Sequence, residues 1–341
     1  MSQGYKNNCN KKNENNNGRF KTEYSSDTAQ PMFVQKNAAK APTAQKQHKD
    51  KLPATVEEQI EKLKERGCIV EDEDFAKETL TDINYFRLAY YFLLFLKPDG
   101  KYREGTSFGR VMRVYDFDRR LRNLLLEVLE EIEITLRAHC SNYHAIRYGA
   151  VGYLNADTFS HAHKHKSFMN KIQRLIDSNS DSEMVQHYLK KHGGKFPLWV
   201  ITELFSFGMI NLFYSDLKPQ DKMTISKRYY GMSSGSLEMK LKMMSDLRNH
   251  CAHYHRLYDW EMGDIHSSDG SVFEYILVMK EIYRRPVKWR EGFLKQLGRL
   301  YFDYEDVVNL DMLGFPENWH EILEKNEEED KESVSQTDDV E

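Results

Sequence analysis

The residues best suited to chemistry lie in the stretch SDLRNHCAHYHRLYD, which runs from position 245 to position 259. It carries three histidines, two arginines and one asparagine. An imidazole with its ordinary pKa of ~6.5 exchanges a proton near neutral pH, and a guanidinium stays charged and binds phosphate oxygens through two parallel hydrogen bonds. These two groups suit the cleavage of RNA without a metal, in which a 2′-hydroxyl attacks the neighbouring phosphate.

Arg248 and His253 are the pair that such a reaction would use. They lie five residues apart, about 140° round a helix at about 100° per residue, and the long arginine stem can bring its guanidinium towards the imidazole. Asn249 comes four residues before His253 and therefore shares its face of the helix. We predict that His253 is the general acid or base, that Arg248 binds the phosphate and stabilises the transition state, and that Asn249 positions the reacting groups.

Two non-catalytic interpretations of this stretch stay open. The polar stripe could bind RNA without cutting it, as a sensor or a scaffold for a structured noncoding RNA, with the arginine on phosphate and the histidines on bases. It could also belong to a helical module that binds only proteins, which predicts no RNA affinity even at low salt. An arginine and a histidine five residues apart also occur by chance, so the spacing alone does not choose among these functions.

Three charged residues outside this stretch are candidates to support it. Glu133 and Arg137 are four residues apart on the longest predicted helix, which is typical of an exposed pair worth about 0.3–0.5 kcal/mol but also permits a pair that orients His253. Glu203 stands alone among apolar neighbours in LWVITELFSFG. A carboxylate in such a helix needs a partner or becomes protonated, and Arg248 is a suitable partner.

Other reactive side chains favour structural roles. HAHKHK, at residues 161–166, has histidines at alternate positions, but no thiolate or carboxylate accompanies them at the spacing of a zinc site. This favours a solvated loop or the start of a helix. Cys140 lies near two histidines on a long amphipathic helix, where a buried thiol is the ordinary case. No phosphate-binding glycine motif occurs, so we expect no nucleotide cofactor, and cleavage by a 2′-hydroxyl needs no metal.

The elements that would position these residues are predicted to be helices. The clearest covers about residues 110–146, where apolar residues recur at steps of three and four. Alternation of β-branched residues is scarce, so the predicted fold class is all-α. The aromatic run at residues 85–95 is compatible with a helix or a strand. Further helices are predicted at residues 55–67, 74–80, 165–176, 183–190, 198–214, 218–229, 236–258 and 272–283.

Composition and charge restrict the class of protein. The 341 residues are 40% hydrophobic, enough for a buried core, and the formal net charge is −4. Residues 1–52 hold 10 Lys and Arg against 4 Asp and Glu, whereas residues 321–341 hold 2 against 10, so any nucleic-acid interface must be a local patch. We expect the basic, Asn-rich residues 1–52 and the acidic residues 324–341 to be disordered tails.

Cysteine usage and hydropathy indicate where the protein works. The four cysteines include no CxxC pair, and no secretory signal precedes them, which favours the cytoplasm. The most apolar run, residues 85–97, is shorter than the roughly 20 residues that a membrane-spanning helix needs. We therefore expect no membrane association.

An ordered series of segments resembles one bacterial family. Spread over residues 53–323, the segments are TVEEQIEKLKERG, INYFRLAYYF, VYDFDRRLRNLLLEVLEEIEITLR, LWVITELFSFGMINLFYSDL, RNHCAHYHRLYD and LGFPENWHEIL. In these segments the chain resembles the Abi-like (AbiD/AbiF) family of phage abortive-infection proteins, and RNHCAH resembles the R-x4-H motif of the HEPN superfamily. The resemblance implies a HEPN-type helical bundle at residues 111–260, with further helical parts at 53–110 and 261–323.

The same resemblance implies a function and a set of residues. It implies a metal-independent ribonuclease that acts as a homodimer, with two motif copies in one cleft. Arg248 and His253 match the arginine and histidine of the motif, and Asn249 matches its polar position. The neighbouring candidates for RNA binding are His250, His255 and Arg256. We therefore predict an abortive-infection endoribonuclease whose partner is RNA, restrained by an antitoxin or another regulatory partner because unchecked cleavage would harm its own cell.

Overall fold

The computed structural model describes residues 22–24, 31–33, 53–259 and 270–325. Within them two three-residue strands, β1 (Thr22–Tyr24) and β2 (Pro31–Phe33), pair antiparallel, and the remaining regular elements are helical. The predicted all-α class is confirmed. Most of the two predicted disordered tails lies outside the described residues. Among the residues described, no helix combines the length and the apolar character that a membrane crossing requires.

The chain divides into two units, residues 1–111 and residues 112–341. The helices of the first unit begin with α1, where Thr55 and Glu58 form the predicted capping box. The aromatic run at 85–95 is helical, because α3 continues into a 3-10 turn at Leu93–Phe95. The helices that lie wholly in this unit are α1 (Val56–Glu65), α2 (Glu73–Asp82) and α3 (Tyr85–Phe92).

The second unit is organised around α4 (Phe108–Tyr148), a helix of 41 residues whose first four belong to the first unit. Its predicted apolar stripe is buried throughout, from Val114 to Leu136. The helices that follow are α5 (His165–Ser178), α6 (Glu183–Lys191), α7 (Leu198–Ile201), α8 (Phe207–Asp216), α9 (Pro219–Ile225), α10 (Ser234–Ala252), α11 (Val272–Ile282), α12 (Pro286–Lys288), α13 (Lys295–Tyr304) and α14 (Trp319–Glu324). Single π-helical turns follow α9 at Ser226–Tyr230 and α12 at Trp289–Leu294.

The helix predicted at residues 198–214 is interrupted. After α7 the chain makes a 3-10 turn at Thr202–Leu204 and becomes extended at Phe205. Ser206 then caps α8, since its hydroxyl accepts a hydrogen bond from the amide of Met209. A local cap has therefore overridden a continuous apolar pattern.

The helix that carries the motif begins at a serine cap and ends earlier than predicted. Ser233 accepts a hydrogen bond from the amide of Ser236, 3.2 Å away, and α10 then runs to Ala252 rather than to Tyr258. It packs against α8, α9 and α11. The face predicted to be apolar is buried, namely Leu237, Leu241, Met244, Leu247, Cys251 and, beyond the helix, Tyr258. The motif residues are consequently directed away from this core.

Candidate functional site

The motif lies at the C-terminal end of α10, where the helix closes with a Schellman motif. The amide of His255 donates to the carbonyl of His250 (3.1 Å), and the amide of Tyr254 donates to that of Cys251 (3.0 Å). Tyr254 occupies the left-handed position (φ 61°), which costs a residue with a side chain roughly 1–2 kcal/mol and is usually taken by glycine. His253 is thus the capping residue, outside the helix and exposed to solvent.

Arg248, Asn249 and His253 lie close together at this helix end. The Arg248 guanidinium donates to Oδ1 of Asn249 over 3.2 Å, and the amide of His253 donates to the Asn249 carbonyl over 2.9 Å. This last bond has the helical spacing of four residues, so His253 keeps its predicted place one turn after Asn249, and the backbone leaves the helix only at His253 itself (φ −90°, ψ 12°). Hydrogen bonds thus link Asn249 to both Arg248 and His253, while the joint role predicted for the three residues stays a prediction.

A buried carboxylate holds two arginines beside this helix end. Glu133 on α4 is buried; one of its oxygens pairs with Arg137 and the other lies 3.6 Å from Nε of Arg248. Arg137 also donates to the carbonyl of Phe205 over 2.6 Å. The contact with Arg248 is longer than a hydrogen bond, so this guanidinium can still donate to a phosphate. The Arg248 guanidinium is thus flanked by the Glu133 carboxylate and by Oδ1 of Asn249.

These contacts correct two expectations about the supporting residues. The Glu133–Arg137 pair is not an exposed surface pair, because it is largely buried and contacts Arg248. Glu203 is not enclosed by apolar groups: its side chain is 65% exposed, and its ion pair is with Arg137, 4.0 Å away, rather than with Arg248. The 3-10 turn after α7 explains this difference, since it rotates Glu203 out of the apolar face expected for a continuous helix.

The segment that follows His253 is held by a buried ion pair that the sequence analysis missed. Asp118 on α4 is fully buried, and its Oδ1 accepts the amides of Leu257 (2.9 Å) and Tyr258 (2.7 Å). Arg122 donates both to the other oxygen of Asp118 and to the carbonyl of His255, the latter over 3.2 Å. The sequence did contain an indication of this pair. Asp118 lies four residues after Val114, which places a carboxylate on the apolar stripe of α4, and Arg122 follows four residues later, at the spacing of a helical ion pair.

The three residues proposed to assist RNA binding differ in their surroundings. The imidazole Nε2 of His250 donates to the carbonyl of Arg256 over 2.9 Å, and burial lowers the pKa of His250. The side chain of Arg256 lies 3.6 Å from the carboxylate of Asp259. His255 is exposed, with its ring centroid 6.3 Å from that of His253. Of the three, His255 is the one whose ring faces solvent next to the motif histidine.

The remaining chemical candidates occupy structural positions. Helix α5 begins at His165 within HAHKHK, as predicted, but the side chain of His163 is buried instead of solvated. Cys140 is fully buried, and burial raises the pKa of its thiol. In the part of the chain that the structure describes, no three His, Cys, Asp or Glu side chains are arranged to hold a metal ion.

The fold and the site together define an all-α protein that exposes an imidazole and a guanidinium at one helix end. The sequence model of the Abi-like protein family matches residues 78–259, from α2 to the end of the segment after His253. The chain belongs to this family, and membership supports a role in abortive infection, a defence against phage. No curated protein and no solved structure matches the chain.

Proposed function

We propose that the protein is a metal-independent endoribonuclease of the HEPN type that acts in phage defence. The observation that carries this proposal is that one end of α10 holds both an exposed His253 and an Arg248 whose guanidinium contacts Asn249 and Glu133. Glu133 itself faces two guanidinium groups, so its negative charge is compensated by the protein. This donor set suits proton transfer and phosphate binding better than it suits a cation.

The proposed reaction follows from these groups. His253 accepts the proton of a ribose 2′-hydroxyl, whose oxygen attacks the adjacent phosphorus while Arg248 stabilises the charge on the phosphate oxygens. The bond from phosphorus to the 5′-oxygen breaks, and that oxygen takes up a proton. The products are a 2′,3′-cyclic phosphate and a 5′-hydroxyl. We assign Asn249 to positioning, because its Oδ1 accepts from Arg248.

A homodimer would complete the site. One imidazole does not conveniently serve both sides of phosphorus, and a second copy of His253 would protonate the leaving oxygen. Two exposed apolar side chains support such pairing, namely Ile134, one residue after Glu133, and Trp199, four before Glu203. A monomer of full activity in solution would contradict this arrangement.

A second candidate function is RNA binding without cleavage, in a sensor or scaffold. Three consecutive exposed rings, those of His253, Tyr254 and His255, favour it. Such rings stack on unpaired bases, which requires no proton transfer. The two functions make opposite predictions for His253→Ala, which would weaken RNA affinity in a binding protein and would abolish cleavage at nearly unchanged affinity in a nuclease.

The deciding experiment is cleavage of total cellular RNA in EDTA by the wild type and His253→Ala, with the 3′ ends of the fragments identified. His320→Ala is the matched control, because His320 is another exposed histidine, on α14. We expect cleavage by the wild type and the control, with cyclic phosphate ends. Activity that disappears in EDTA and returns with Mg²⁺ would contradict the mechanism, and tight binding without cleavage by every form would favour the second function.

Restraint of the activity is part of the proposal, since unchecked cleavage would harm the cell. We propose that a bound RNA, an antitoxin-like protein partner or the charged ends of the chain cover the site until infection. Deletion of residues 1–50 or 324–341 tests the last of these. Unchanged cleavage by both truncated forms would leave RNA or a protein partner as the restraint.

A further inference from the structure

We infer that Asp118 and Arg122 are positioning residues of the site, which hold the segment after His253 so that its imidazole is presented to RNA. The inference rests on the proposed function for its catalytic consequence, but its structural part stands without it. The pair binds three of the four residues at positions 255–258, through one carbonyl and two amides. It therefore fixes the backbone beginning two residues after His253.

The arrangement differs from an ordinary buried ion pair. Removing a carboxylate and a guanidinium from water is costly unless further hydrogen bonds satisfy both groups. Here Asp118 receives two amides as well as Arg122, and Arg122 donates to the carbonyl of His255 in addition to Asp118. Every one of these additional bonds is made to the segment that follows the motif. The hydrogen bonds that help to satisfy the pair therefore also hold the backbone of that segment.

The backbone next to His253 needs such support. Tyr254 is held in the left-handed region, which a residue with a side chain adopts only when its surroundings determine it. On one side α10 fixes the chain, and on the other side Arg122 fixes the carbonyl of His255. His250 adds a bond to the carbonyl of Arg256. His253 therefore lies between a helix and a clamped segment, and release of the clamp would let its imidazole move.

The test is Asp118→Asn in the full-length protein. The substitution keeps the size of the side chain but places an amide NH2 towards Arg122 or towards the two backbone amides, where only an acceptor fits. We expect kcat for RNA cleavage to fall roughly 10- to 100-fold, the order of loss that a small displacement of a reacting group produces, with KM nearly unchanged. The amides of Leu257 and Tyr258 should lose protection from hydrogen exchange.

Asp221→Asn is the matched control. Asp221 is equally buried, and it also pairs with an arginine of α4, Arg147. Its other partners are the hydroxyls of Tyr143 and Tyr148, which belong to side chains of α4 and not to the motif segment. We expect this variant to lower thermal stability without changing kcat at a temperature where the protein stays folded.

A second readout separates this inference from the proposed nuclease activity. NMR of 13C-labelled histidine follows the His253 ring directly, whether or not the protein cleaves RNA. We expect Asp118→Asn to shift and broaden this signal and Asp221→Asn to leave it in place. If Asp118→Asn lowers stability but leaves both kcat and the His253 signal at wild-type values, the pair is structural only and the inference is wrong.

If Asp118→Asn does not fold, Arg122→Lys provides the same test. A lysine keeps the positive charge beside Asp118 but cannot bond both the carboxylate and the His255 carbonyl with the geometry of a guanidinium. We expect a smaller loss of kcat, with the protection of the Leu257 and Tyr258 amides retained. An unchanged kcat and an unchanged His253 signal in this variant would contradict a positioning role for Arg122.

Discussion

Two histidine-rich stretches of the chain look alike as sequences and differ in the folded protein. In the HAHKHK stretch, the side chain of His163 is 1% exposed, its Nδ1 lies 2.8 Å from a carboxylate oxygen of Asp216, and its Nε2 lies 3.2 Å from Nδ1 of His165. His165 in turn bonds the carbonyl of Leu154. At the end of α10, by contrast, His253 is exposed, five residues after Arg248.

The comparison shows that the density of histidines does not mark a reactive site. The hydrogen-bonded chain from Asp216 to His165 joins three parts of the fold, because its members come from α8, from the turn before α5 and from the start of α5. The His253 imidazole instead faces solvent, where a substrate can reach it. Exposure to solvent distinguishes the second stretch, and in the proposed function Arg248 adds a phosphate-binding group to it.

The largest effect should come from His253→Ala. Loss of a general acid or base typically lowers a rate by about 10²- to 10⁴-fold, whereas loss of an exposed side chain changes stability by about 0.5 kcal/mol or less. We expect RNA cleavage to fall by that factor and the thermal midpoint to stay near that of the wild type. Cleavage at the wild-type rate would remove the proposed difference between the two stretches.

The next effect should come from Arg248→Lys. Lysine keeps the charge but loses the planar fork that binds two phosphate oxygens at once, and removal of one such donor costs roughly 100-fold or more in kcat. We therefore expect kcat to fall by about that factor, while RNA affinity at low salt falls much less. A variant as fast as the wild type would show that Arg248 acts only as a point charge.

His163→Ala should have the opposite signature. The substitution removes a buried ring that stacks on Phe159 at 4.1 Å between centroids and leaves Asp216 without its hydrogen bond. We expect a loss of about 1–3 kcal/mol in the free energy of unfolding, measured by urea denaturation, with cleavage per folded molecule unchanged. Lost cleavage at normal stability would instead assign chemistry to the HAHKHK stretch.

A smaller effect should appear as a dependence of stability on pH. Burial lowers the pKa of His144 from 6.5 to about 4, and burial with the charge of Arg284 lowers the pKa of His139 to about 4. Between about pH 4 and about pH 6.5, these two histidines bind more protons in the unfolded chain than in the folded protein. The free energy of unfolding therefore falls as the pH is lowered from about 6.5 to about 4. Above about pH 6.5 both imidazoles are neutral in the folded and in the unfolded chain, so their burial no longer lowers the free energy of unfolding.

Urea denaturation at pH 7 and pH 5 measures this effect, with His144→Leu as the test variant and His320→Ala as the exposed control. The loss of stability between the two pH values should be smaller in His144→Leu than in the wild type, and the same in the control as in the wild type. An equal loss in all three proteins would mean that His144 does not contribute to the acid sensitivity.

Much of the fold followed from local patterns. The capping box at Thr55, the buried stripe of α4 and the apolar face of α10 were predicted from spacing, because caps and helical periodicity depend on residues close in the chain. The interruption after α7 and the early end of α10 were not predicted. Both depend on a few local hydrogen bonds that compete with a continuous apolar pattern. One runs from the Met209 amide to the Ser206 hydroxyl, and the others join backbone groups around Tyr254.

The sequence by itself determined the all-α class, the family and the candidate pair Arg248 and His253, since residue types and short spacings carry that information. Only the tertiary structure decided what surrounds the pair. Glu133 and Asp118 lie more than 100 residues before the motif, and their contacts with it form only when α4 packs beside the end of α10. Spacing along a chain predicts what a helix places on one face, but packing decides which distant carboxylate meets it.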